Sequence, residues 1–161
     1  MQLLNYSIGA FFSVMFAINP SFIIERSKDS NQIFYVVNEQ QQMLDITEPI
    51  NFYWIKHTEN GKKEALTWIQ EKYSYGLKYL KKTPNEAIFQ FVSYNKQNFY
   101  LRKDTDGTFK VFTVFNKKNM IVNRIYIHIK GGTFWMPKIP QIDIEGIELK
   151  TSQKITEVFK P

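Results

Sequence analysis

The best case for chemistry in this chain rests on two histidines, an arginine, a lysine, a tyrosine and a tryptophan. In Ile125-Tyr-Ile-His-Ile-Lys130 isoleucines alternate with polar residues, and Arg124 precedes the run. At a strand period of two, Arg124, Tyr126, His128 and Lys130 share one face and Ile125, Ile127 and Ile129 the other. Such a row could bind a carboxylate or phosphate, with His128 titrating near neutral pH as general acid or base. The plain alternative is the solvent face of an outer strand, where the same alternation is common. Gly131-Gly132 then breaks the pattern, and Trp135 sits just before Pro137 in what should be a loop. Trp135 is therefore the aromatic residue expected to face a ligand, whereas most of the others, Trp54, Trp68, Tyr73, Tyr75 and Tyr79 among them, are expected in the core.

His57 is the other histidine. Brought beside His128 by the fold, it would make a proton-transfer or metal site conceivable. A catalytic zinc normally takes three protein ligands, however, and no spaced carboxylate accompanies the pair, so no metal site is expected. Asp104-Thr-Asp-Gly107 opens like a calcium loop, but the twelfth position is Phe115 instead of a bidentate glutamate, and turn chemistry explains the segment better. Ser74 and Ser93 stand in no nucleophile elbow. The sequence shows no phosphate-cradling glycine loop and no dinucleotide fingerprint, so no cofactor is expected. Carboxylate pairs assembled by the fold stay open.

These residues need strands to position them. From Phe22 onward, short apolar segments alternate with polar turns, as in an all-β protein. Phe22 to Arg26 and Ile33 to Val37 read as a hairpin. Ile50 to His57, Ala87 to Tyr94, Asn98 to Lys103, Thr108 to Phe115, Met120 to Lys130, Gln141 to Lys150 and Lys154 to Phe159 read as further strands. In Gln141 to Lys150 the apolar phase changes at Gly146, which suggests a bulge there. One short helix is expected at about residues 63–73, with Leu66, Ile69 and Tyr73 at helical spacing and Gly76 ending it. The resulting expectation is a mainly β domain: an antiparallel sandwich or closed barrel of about nine or ten strands with that single helix.

The chain has 161 residues, enough for one domain with a core of its own. Its aromatic share of 16% favours strands over helices. It has no cysteine, which excludes disulfides, thiolate catalysis and cysteine-held metals. The net charge of +6 raises nucleic acid as a partner, but the lysines are scattered in turns and nucleic acid is disfavoured.

Residues 1 to 20 carry no charged side chain. The run Ile8 to Ile18 matches a secretory hydrophobic segment and is too short for a spanning helix, which needs about 20 residues. We expect a signal peptide over residues 1–19, export to the periplasm or beyond, and a single β-rich domain over residues 20–161, with no transmembrane helix.

The ordered series Ile33-Phe-Tyr35, Asn51-Phe-Tyr-Trp-Ile55, Ile69-Gln-Glu-Lys-Tyr-Ser-Tyr-Gly-Leu77, Phe91-Val-Ser-Tyr94, Asn123-Arg-Ile125 and Gly131-Gly-Thr-Phe-Trp-Met-Pro137 resembles a mostly bacterial family known as domain of unknown function 4833. The resemblance spans about residues 21–161 and implies an exported domain with no assigned activity. The leading expectation is a non-enzymatic exported domain that binds a ligand or cell-envelope component through Arg124, Tyr126, His128, Lys130, Trp135 and His57. The alternative is a hydrolase using His57 or His128 with a carboxylate supplied by the fold.

Overall fold

A computed structural model describes residues 19–133 and 136–161. Trp135 and all but the last residue of the expected leader at 1–19 lie outside the described residues. The chain is mainly β with one short helix, as its alternation predicts. The strands are β1 (Phe22–Arg26), β2 (Asp29–Val37), β3 (Glu39–Gln40), β4 (Met43–Leu44), β5 (Ile50–Lys56), β6 (Lys62–Glu64), β7 (Leu77–Thr83), β8 (Glu86–Phe91), β9 (Tyr94–Lys103), β10 (Phe109–Phe115), β11 (Lys118–His128), β12 (Gln141–Glu148) and β13 (Lys154–Phe159). Among the described residues no helix is long and apolar enough to cross a membrane.

Long, isoleucine-rich β11 organises the sheet. One of its edges pairs with β12 from Met120↔Glu148 to His128↔Gln141. The other edge is shared: β10 pairs with its first half, antiparallel, and β1 with its second half, parallel. Two arms therefore leave the same edge, β1-β2-β5-β6 and β10-β9-β8-β7. They curl over one another into a half-barrel or open sandwich. The Tyr35 hydroxyl donates to the Tyr75 carbonyl at 2.8 Å, and Leu44 N donates to the Pro84 carbonyl at 2.8 Å, so both contacts tie one arm to the other. The sheet is mixed because of the single β1·β11 pair, whose partners lie about a hundred residues apart and leave no local trace in sequence.

Between the arms lies an aromatic core. Phe22 stacks on Tyr35 at 4.4 Å between ring centres, Phe89 stacks on Phe99 at 5.5 Å, and Phe91 meets Phe22 edge-on at 6.1 Å. Alternation along β8 aims Ala87, Phe89 and Phe91 inward, and all three are buried. Trp54 is buried as expected, but Trp68 and Tyr73 are 67% and 59% exposed.

The helix starts later than helical spacing suggested. Lys62–Glu64 pairs with β5 as β6, so helix α1 begins only at Trp68–Gln70, behind a capping box in which Thr67 and Gln70 bond reciprocally. It continues as one wide turn, Glu71–Tyr75, and stops at Gly76, where a Cβ would lie 2.0 Å from the Glu71 carbonyl oxygen. Only Leu66 of the three residues at helical spacing is buried, because so short a helix presents no continuous stripe.

The bulge expected at Gly146 lies on the opposite strand. Val122 pairs with Gly146 and Arg124 with Glu145, leaving Asn123 as the extra residue on β11. Gly146 is the close approach across from it, where a Cβ would fall 1.8 Å from the Ile121 carbonyl oxygen. The extra residue resets the phase of β11. Met120 and Val122 point inward before it, Ile125 and Ile127 after it, and Arg124, Tyr126 and His128 are thereby turned outward.

Candidate functional site

The structure brings most of the polar row together on the outer face of the sheet, where neighbouring strands supply its partners. Arg124 Nε donates to Glu25 of β1 at 2.6 Å and Arg124 Nη1 to Glu145 of β12 at 2.6 Å, while its guanidinium lies 4.6 Å from the Tyr126 ring centre. Burial pushes the Arg124 pKa down, but the bonds and charges of Glu25 and Glu145 outweigh it and hold it raised. Glu25 also accepts from the Gln32 amide, whose oxygen lies 2.9 Å from His57 Nε2. His57 and Arg124 are thus ends of one hydrogen-bonded chain across β2 and β1, although the two histidines do not touch.

His128 meets Tyr126 edge-on at 4.8 Å and reaches Asp143 of β12 through Nε2 at 2.7 Å. Burial pushes the Asp143 carboxyl up, yet the hydrogen bonds from His128 and Gln141 prevail and hold it below its ordinary value. Lys130 lies beyond the end of β11 and is exposed. Among the described residues no group of three or more metal-ligating side chains converges. The face is a half-exposed strand surface, and none of Arg124, Tyr126, His128 and His57 lines either cavity at the open end of the half-barrel.

Those two cavities were not foreseen. The inner one, of about 280 Å³, lies between the arms, walled by isoleucines of β1, β11 and β12, including Ile24, Ile127 and Ile144, and closed by Phe91, Phe99 and Phe159. Ser93, Tyr94 and Gln97 give it a polar margin. The outer groove, of about 630 Å³, lies under the helical turn and is lined by Arg26, Lys28, Trp68 and Tyr73, with Gly131, Gly132 and Thr133 opposite. The two adjoin, sharing Tyr73, Ser74, Tyr75, Ile129 and Pro137.

Local chemistry fixes these walls. Gly131 and Gly132 both have positive φ, +79° and +90°, and a Cβ on Gly132 would lie 2.4 Å from the Met136 carbonyl oxygen. The double glycine therefore turns the chain after Lys130, whose N donates to the Lys138 carbonyl at 2.8 Å. Arg26 lies over Trp54 at 4.6 Å, donates to Asp29 at 2.6 Å and to the Tyr75 hydroxyl at 3.3 Å, and its Nε is buried without a partner among the described residues. Ser93 Oγ donates to the Ser74 carbonyl at 2.6 Å and pins the helical turn to the β8–β9 hairpin.

Sequence reasoning missed Arg26, Lys28, Trp68 and Tyr73. The available signal was weak: Trp68 and Tyr73 lie on a helix too short to bury an aromatic stripe.

A family model described as a domain of unknown function (DUF4833) matches residues 22–158. No curated protein and no solved structure matches the chain.

Proposed function

The chain belongs to the DUF4833 family, whose description assigns no activity, so the site must carry the reading, and we propose that this is an exported, non-enzymatic domain that holds a ligand with an apolar body at the open end of its half-barrel. The carrying observation is the inner cavity: an apolar space of about 280 Å³, walled by isoleucine and phenylalanine and adjoining an open groove. Ligand sites are characteristically concave, apolar and edged by a few polar groups, with volumes of about 300–1,000 Å³, a range the cavity reaches only together with the adjoining groove. The outer row is a poorer seat for a ligand because Arg124 is already held by two carboxylates and His128 by a third.

A neutral fluorescent probe, N-phenyl-1-naphthylamine, is expected to bind saturably and brighten. Ile129→Trp, which places an indole where the two cavities adjoin, is expected to weaken that binding at least about tenfold while leaving the unfolding temperature within a few degrees. Unchanged binding in a folded Ile129→Trp variant would count against the cavity.

Export draws on the uncharged, apolar start of the chain. The first described strand begins at Phe22, so cleavage after Asn19 removes none of the described strands. N-terminal sequencing of the protein recovered from its native cells should begin near Pro20, and an intact Met1 at the start would refute export with cleavage.

The hydrolase alternative draws on the His128–Asp143 contact. It requires ester or amide hydrolysis by the purified domain that disappears in His128→Ala. The binding reading expects no such turnover.

A further inference from the structure

The charge of the outer groove goes one step further than the cavity and names the class of ligand. We propose that the site takes a single-chain amphiphile with a monoanionic carboxylate head, its acyl chain in the inner cavity and its head in the outer groove beside Lys28 and Arg26. This rests on the reading of the inner cavity as a ligand seat.

The two spaces differ in kind. The inner one is built from isoleucine and phenylalanine, side chains that recognise a chain of methylene groups by burial alone. In the outer one the charged lining residues are Arg26 and Lys28, both positive, and among the described residues no carboxylate lines it. A mouth with net positive charge on an apolar pocket favours an anionic head over a neutral one and repels a cationic one.

The head's charge follows from the partners. Asp29 neutralises Arg26 through Nη2, whereas Lys28 is exposed. One net positive charge matches a monoanion better than a phosphate dianion. Arg26 itself lines the groove, while its Nε is buried and has no partner among the described residues. Gln70 and Ser74 add neutral polar groups to the same wall. The shared residues Ile129 and Pro137 form the apolar passage that the first methylenes of the chain would cross.

The test displaces N-phenyl-1-naphthylamine with four twelve-carbon amphiphiles: dodecanoate, dodecanol, dodecyltrimethylammonium and dodecyl phosphate. Dodecanoate is expected to bind the full domain about tenfold more tightly than dodecanol, as a charge-assisted contact implies, with the ammonium weaker still. Lys28→Glu is expected to abolish the preference for the carboxylate through a loss of dodecanoate affinity of about tenfold. Lys28 is exposed, so this variant should fold, and Arg26→Gln is the second variant, expected to reduce the preference partially.

Equal affinities for the carboxylate, alcohol and ammonium would overturn the inference while leaving the apolar seat standing. So would a carboxylate preference that survives both substitutions, or dodecyl phosphate binding tenfold or more above dodecanoate. Failure of the probe and of all four amphiphiles to bind would refute the seat itself.

Discussion

Phe89→Ala is expected to cost about 3–5 kcal/mol of folding stability, a large part of the roughly 5–15 kcal/mol that holds a domain folded. Phe89 is fully buried at the centre of the second arm. Its ring stacks on Phe99 and meets Phe91 and Tyr79 edge-on, each 6.1 Å away. Phe91 in turn touches Phe22 and Tyr35 of the first arm. The alanine therefore opens a void in the packing that holds the arms together. Urea denaturation should show a lower midpoint with an unchanged slope. A loss below about 1 kcal/mol would mean that the arms do not pack through this cluster.

The second large effect is a loss of stability in acid. Among the described residues five carboxyls are held below their ordinary values by specific partners, Glu64 by the Lys56 and Lys62 ammonium groups. The Lys110 ammonium depresses Asp104 and Asp106, and the Lys118 ammonium, followed by the Asn116 amide, depresses Glu157. At Asp143 burial acts in the opposite direction but is outweighed by His128 and Gln141. In the unfolded chain these groups return to ordinary values near 4, so in the acid range the unfolded state binds more protons than the folded one. The stability they contribute is fully present above the ordinary carboxyl range and is lost as pH falls through the depressed folded values. The unfolding temperature should be flat from about pH 7 to 5 and fall steeply below about pH 4. Glu157→Gln should make that fall shallower, because Glu157 is the most buried of the five. An unfolding temperature independent of pH down to about 3 would contradict these assignments.

Nine strands were legible because each alternates and is bounded by turn residues, whereas β3, β4, β6 and lysine-rich β7 were not, since they lack a buried apolar phase. Asp104 to Gly107 is a case where turn chemistry sufficed. Gly107 takes a positive φ, and Asp106 accepts from Thr108 in the tight link between β9 and β10. The parallel β1·β11 pair was not legible, since it depends on which edge of β11 is left free after β12 and β10 have paired. The bulge was read from the right residues but assigned to the wrong strand, since a phase change in sequence does not say which of two partners carries the extra residue.

The candidate site divides in the same way. That Arg124, Tyr126 and His128 share a face followed from period two alone. That Glu25, Glu145 and Asp143 neutralise that face could not follow, because each carboxylate comes from a neighbouring strand. The groove was least legible of all. Its described walls come from Arg26 and Lys28, the 68–75 turn, residues 129–133 and Pro137, and none of these carries a motif by itself. The double glycine was noticed as a break, and its role is to fold one wall of the groove.

The most direct test of a ligand seat between the arms uses the isoleucine methyl groups as reporters in a methyl-labelled NMR titration with N-phenyl-1-naphthylamine. The account predicts saturable shifts at Ile24, Ile127, Ile129 and Ile144, which line the cavity, and none at Ile33, Ile50 and Ile121, which do not. No methyl shift, or shifts spread evenly over both sets, would contradict it.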